Sequence, residues 1–209
     1  NRRLISQIAD LHFAPTESSK NNLLNSNIQE KIFVTGNTVI DSLIFTSKRN
    51  KKIKKFNRNY LQPKEFILAT VHRRENWGEN LENICKGLKL LVEERNNLSI
   101  LIPMHPNEVV RDKLKKNLGK SDKIILTEAM PYDEFVDIME KCKLVISDSG
   151  GLQEEAPSLD KPVLVLRNTT ERNEAIEAGT AKLIGTKTEN IFKETNKLLD
   201  NPNLFRKMS

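Results

Sequence analysis

In this 209-residue chain, side chains suited to acid–base work or to holding anions stand just behind four short aliphatic runs. Leu144–Ser147 leads into Asp148-Ser149-Gly150-Gly151-Leu152-Gln153-Glu154-Glu155. Two glycines at a strand-to-helix turn let backbone approach a ligand closely, and the helix start offers free N–H groups and positive dipole to an anion. A phosphate or diphosphate fits there, against Ser149, Gly150 and Gly151. Glu155 is four residues past Gly151, one helical turn in on the same face. A carboxylate so placed can accept from two vicinal hydroxyls, such as those of ribose. In the plainer alternative, Glu154 and Glu155 are first-turn acids that favour the helix dipole.

Val163–Leu166 leads into Arg167-Asn168-Thr169-Thr170-Glu171-Arg172. Thr170 and Glu171 suit an ordinary N-cap and first-turn acid. Arg172 at a helix start opposes the dipole, which calls for a ligand anion or a nearby carboxylate. Phe66–Val71 leads into His72-Arg73-Arg74, suited to general acid work or to holding a negatively charged leaving group, with a structural histidine as the alternative. Leu98–Met104 ends at His105, a second histidine at the same edge. His12, His72 and His105 lack the spacing of a ligand set, so no metal is expected.

Such residues meet only if their runs share one sheet edge. Six runs (Phe66–Val71, Leu98–Met104, Lys123–Leu126, Leu144–Ser147, Val163–Leu166 and Ala181–Ile184) alternate with stretches of helical period. Leu81, Ile84, Cys85, Leu88, Leu91 and Val92 form one such stripe, and Tyr132, Phe135, Val136 and Met139 another. Strands without strict alternation, separated by helices, predict an α/β fold with a doubly wound, Rossmann-like parallel sheet covered on both faces. In that fold ligands bind at the carboxyl ends of the strands. Before the first run the pattern differs: a helical start Leu4–Ala9, a strand Leu11–Ala14, a helix Thr16–Leu24, Ile32–Val34, then a turn at Gly36 into a helix Val39–Thr46. A domain junction is therefore expected near Gly36, giving residues 1–35 and 36–209. Residues 1–35 are too few to bury a core of their own, below the ~40 at which unaided folding becomes rare.

Lys and Arg number 34 against 28 Asp and Glu, a net charge of +6. The surplus sits in residues 1–66, with twelve basic and five acidic side chains, and above all in Lys48–Arg58, expected to be a solvated linker or helix face rather than a phosphate track. Nucleic-acid binding through this block is a weaker reading. Cys85 and Cys142 lie outside any Cys-x-x-Cys pair and fit buried free thiols in a reducing, cytoplasmic setting. No apolar stretch approaches the ~18–20 residues that span a bilayer, so no membrane partner is expected.

Four strings together resemble one family: Phe33-Val34-Thr35-Gly36-Asn37-Thr38-Val39-Ile40-Asp41, Thr70-Val71-His72-Arg73-Arg74-Glu75-Asn76, Ser147-Asp148-Ser149-Gly150-Gly151-Leu152-Gln153-Glu154-Glu155-Ala156-Pro157 and Thr169-Thr170-Glu171-Arg172-Asn173-Glu174. In order and spacing they resemble the non-hydrolysing UDP-N-acetylglucosamine 2-epimerases over essentially the whole chain. The resemblance implies a two-domain fold of the glycosyltransferase-B type, a homodimer at full length and no cofactor. It implies interconversion of UDP-GlcNAc and UDP-ManNAc through elimination of UDP to a 2-acetamidoglucal and re-addition, in cell-surface polysaccharide precursor synthesis. Carried over, Ser149, Gly150, Gly151 and Arg172 hold the diphosphate and Glu155 the ribose, while Phe135 and the Met130 backbone lie by the uracil. His72 binds or protonates the departing phosphate, and Arg73 and His105 match positions that touch a second, activating UDP-GlcNAc. The family's proton-moving carboxylates lie in its N-terminal domain, of which Asn1–Ile5 would be the last segment, and the C-terminal helix that crosses back is expected to be missing. Residues 1–35 then read as that domain's remnant, in a fragment that binds UDP weakly without epimerising. A glycosyltransferase of the same fold, a hydrolysing epimerase and a non-catalytic UDP-sugar-binding module are the alternatives.

Overall fold

Aliphatic runs too short for helices, set between amphipathic stretches, organise the residues that the computed structural model describes: 2–28, 31–53 and 65–209. These form two compact units, residues 1–45 and 46–209. In the first, helix α1 (Arg2–Ile8), strand β1 (His12–Ala14), helix α2 (Glu17–Leu24) and strand β2 (Ile32–Val34) follow one another. β1 and β2 pair in parallel, His12 opposite Ile32, and the rings of Phe13 and Phe33 stack 6.1 Å apart. Thr16 caps α2 by accepting from the Ser19 N–H at 3.1 Å.

Helix α3 (Thr38–Ile53) starts where the turn at Gly36 predicts, and the division between units falls within it. It runs seven residues past the expected end at Thr46, so the first part of the basic block is helix and not linker. Nor is that part simply solvated. Arg49 pairs with Asp133 at 3.4 Å, the Asn50 amide donates to the Asp133 carbonyl at 2.7 Å, and Lys51 meets Glu140 at 2.5 Å. The rest of the block, Lys54–Arg58, lies outside the described residues.

The second unit holds strands β3 (Glu65–Thr70), β4 (Leu98–Pro103), β5 (Ile124–Thr127), β6 (Val145–Ser147), β7 (Val163–Val165) and β8 (Ala181–Leu183). They form one parallel sheet in the order β5-β4-β3-β6-β7-β8. The middle strands lack alternation because they are covered on both faces: β6 and β7 are wholly buried, and β3 and β4 nearly so. The helices are α4 (Glu79–Glu94), α5 (Glu108–Leu118), α6 (Tyr132–Lys141), α7 (Leu152–Glu155), α8 (Asn173–Glu177), α9 (Thr188–Asp200) and α10 (Pro202–Met208). The α4 stripe from Leu81 to Val92 is buried as its spacing predicts. Cys85 and Cys142 are buried and free, and burial pushes both thiols up to about 12, leaving them inert. From β3 the chain winds outward through β4 to β5, and from β6 outward the other way. Strand order thus reverses between β3 and β6, where a doubly wound sheet opens a crevice at its carboxyl edge.

α4 and α9 pack closely because Gly87 carries no side chain: a Cβ there would lie 2.9 Å from Ile191 Cβ and 3.3 Å from the Thr188 carbonyl. Alanine replacing glycine inside a helix ordinarily stabilises by about 1 kcal/mol. Here the clash reverses the sign, so Gly87→Ala is expected to lower the thermal midpoint, and a raised midpoint would refute this account of the packing.

Candidate functional site

At the crevice the ends of β3 and β6 are joined by side chains. The Thr70 and Ser147 hydroxyls lie 2.6 Å apart, and Ser147 Oγ also accepts the Ser149 N–H at 2.9 Å. The next residue, Asp148, is fully buried. Its carboxylate accepts the backbone N–H of His72 at 3.0 Å, that of Arg73 at 2.9 Å and the Asn76 amide at 2.9 Å, and lies 3.5 Å from His72 Nε2. Asn76 also donates to the Leu166 carbonyl at 3.3 Å, so one carboxylate gathers the loops behind β3, β6 and β7. The rings of His72 and His105 stack 5.6 Å apart.

These loops border a cavity of about 390 Å³. It is lined by His72, His105, Met130, Phe135, Ser149, Gly151 and Glu155, so seven sequence-predicted residues meet in one place. Pro103, Met104 and Leu152 make much of the remaining wall apolar. Burial, then the neighbouring Glu154 charge, raises the Glu155 carboxyl, and burial and Glu155 raise the Tyr132 hydroxyl. A larger cavity, about 680 Å³, opens by Asn80, Arg167 and Lys187, but none of the predicted residues lines it.

Gly150, Arg73 and Arg172 lie outside the lining of the smaller cavity, among ion pairs. Arg73 meets Glu171 at 3.1 Å; Arg167 meets Glu171 at 2.7 Å and Glu75 at 3.1 Å. Burial works to raise the Glu171 carboxyl, but its own backbone N–H, the Arg167 hydrogen bond and the Arg167 and Arg73 charges hold it down at about 2. Arg172 pairs with Glu154, so of its two expected partners the structure shows the carboxylate.

Two expectations need correction. α7 is a single turn continued by a 3₁₀ turn at Pro157–Leu159, so little dipole stands behind Gly150 and Gly151. Thr170 does not cap a helix, because α8 starts only at Asn173. Its hydroxyl accepts the Arg172 N–H at 3.0 Å and donates to Gln153 Oε1 at 2.6 Å, and Gln153 Nε2 donates to the Ser149 carbonyl at 3.1 Å. The roles of Asp148, Gln153 and Arg167 escape sequence reasoning. A strand-end acid was visible in Asp148, but nothing in its neighbours marks it as buried. Among the described residues, no cluster of three or more His, Cys, Asp or Glu is placed to hold a metal, and no helix is long and apolar enough to cross a membrane.

Parallel strands in this order, with a cavity at the point of reversal, define a Rossmann-like α/β protein of the glycosyltransferase-B kind. The chain belongs to the UDP-N-acetylglucosamine 2-epimerase family, whose model matches residues 1–209. It is 46% identical over 210 residues to the UDP-N-acetylglucosamine 2-epimerase of Bacillus subtilis, covering all of this chain and 55% of that protein. Among solved structures, the UDP-GlcNAc 2-epimerase of Neisseria meningitidis bound to UDP-GlcNAc superposes with a TM-score of 0.93 at 45% identity, covering 100% of this chain and 58% of that one. MnaA of S. aureus with UDP gives 0.92 at 43%, covering 100% and 57%. The chain thus spans little more than half the length of these relatives.

Removing the Asp148 carboxylate would strand three N–H donors at the crevice. Asp148→Ala is expected to lower unfolding stability by about 3 kcal/mol. Urea unfolding should show this as a fall in midpoint at constant slope; an unchanged midpoint would remove Asp148 as the anchor.

Proposed function

We propose that this chain is the nucleotide-binding part of a non-hydrolysing UDP-N-acetylglucosamine 2-epimerase, which interconverts UDP-GlcNAc and UDP-ManNAc by elimination and re-addition of UDP. The convergence of His72, Met130, Phe135, Ser149, Gly151 and Glu155 on one cavity at the point of strand reversal carries this reading. The relatives described as bound to UDP-GlcNAc or UDP support it. Uracil lies by Phe135 and the Met130 backbone, the ribose hydroxyls donate to Glu155, and the diphosphate takes the amides of Gly150 and Gly151, the Ser149 hydroxyl and Arg172. His72, held by Asp148, gives a proton to the departing phosphate as the C1–O bond breaks, while a carboxylate base of the N-terminal domain takes the C2 proton. Arg73 and His105 face a second, activating UDP-GlcNAc, and Arg73, whose guanidinium lies against Gly150, also borders the diphosphate of the first. Residues 1–35 are the end of the N-terminal domain, and residues 36–209 the C-terminal domain. The whole protein is a cytoplasmic homodimer without a cofactor.

The ribose assignment is tested by calorimetry with UDP and its 2′-deoxy analogue. Loss of one hydroxyl from a polar site built for it should cost the wild type roughly tenfold in affinity, and Glu155→Gln should reduce that discrimination. Equal discrimination in both forms would displace Glu155 from the ribose. For the reaction, incubating the whole protein with UDP-GlcNAc should yield UDP-ManNAc, and release of UDP with free sugar would indicate a hydrolysing enzyme instead.

A further inference from the structure

The guanidiniums of Arg73, Arg167 and Arg172 are already matched by carboxylates of this chain. Arg73 and Arg167 carry two positive charges, and Glu75 and Glu171 carry two negative ones within 3.1 Å of them. An incoming diphosphate therefore meets a neutral cluster, unless one carboxylate leaves.

Glu171 is the one placed to leave. Its side chain is 45% exposed, on a stretch between β7 and α8 that belongs to no helix or strand. It also stands where the glycine loop is bare: a Cβ at Gly150 would lie 2.7 Å from Glu171 Oε1 and 3.3 Å from Arg73 Nη2. Arg167, by contrast, is only 10% exposed and keeps Glu75 as a second partner. Arg73 has unused capacity, since its Nε is buried without an acceptor. With its carboxyl held at about 2, Glu171 is an anion throughout the physiological range.

We propose that Glu171 is an internal anion resting at the diphosphate subsite, and that a nucleoside diphosphate binds by displacing it from Arg73 and Gly150. This rests on the nucleotide reading above and adds a competitor to it. Phosphate oxygens can take over the two guanidiniums and reach the orphaned Arg73 donor, which one carboxylate leaves unused. A ligand without phosphates displaces nothing, so the competition acts only on the charged part of the nucleotide.

The test compares UDP and uridine binding to the full chain and its Glu171→Gln variant by calorimetry. Glutamine keeps the size and removes the charge. UDP should bind the variant roughly threefold to tenfold more tightly, the scale of a partly exposed ion pair, while uridine affinity stays the same and reports an intact fold. Weaker or unchanged UDP binding with unchanged uridine binding overturns the displacement and leaves the nucleotide site standing. An equal change for both ligands also overturns it, by placing the effect in the base and ribose pocket. Failure of both forms to bind UDP overturns the nucleotide reading and the displacement together.

Discussion

The crevice depends on the burial of one charge. Asp148 has no exposed surface, and an ion taken from water into a protein interior is costly unless partners replace the lost hydration. Three N–H donors do so, two from the backbone of His72 and Arg73 and one from Asn76. Because those donors sit on the loop behind β3 and Asp148 itself follows β6, the pairing spans the strand reversal that opens the crevice. The solvation of Asp148 and the position of His72 are thus one condition: a loop that drifted from β6 would leave a carboxylate without donors. Asn76, by also holding the Leu166 carbonyl, extends that condition to the end of β7.

What was legible in the residues followed from period. Strands buried on both faces carry unbroken aliphatic runs, and α4 carries an apolar stripe, so the doubly wound sheet and its loaded edge could be read directly. Features set by contacts distant in sequence could not. Glu140 and Asp133 hold the continuation of α3 in a block that composition alone leaves as either linker or helix face. A helix after Gly151 was visible, but its stop after one turn was not. The two glycines marked the loop well; the acid between Ser147 and Ser149 looked no different from Glu154 or Glu171, and only the fold separates a buried anchor from a surface partner.

Charge shows the same gap between composition and site. A net +6 suggests a surface drawn to anions, but the cations nearest the glycine loop are neutralised in place, and much of the described basic helix faces acids of α6. Bulk charge therefore says little about how this chain meets an anion. On the displacement proposed above, local exchange of one acceptor for another would decide it, and such exchange favours ligands offering more acceptor oxygens than a carboxylate does.

The proposed nucleotide site then divides by chemistry. The residues assigned to base and ribose line the largely apolar cavity, together with His72, Ser149 and Gly151 from the diphosphate set, and burial there raises the Glu155 carboxyl that would receive the hydroxyls. Gly150 and Arg172, also assigned to the diphosphate, lie outside it with Arg73, where Arg73 pairs with Glu171 and Arg172 with Glu154. A base placed against the apolar wall would gain from removing apolar surface from water. A diphosphate would gain from charge but must first separate pairs the protein makes with itself. On the proposed assignment, binding of the nucleoside would rest mainly on the apolar wall and Glu155, and selectivity for its diphosphate on charges that the chain already satisfies.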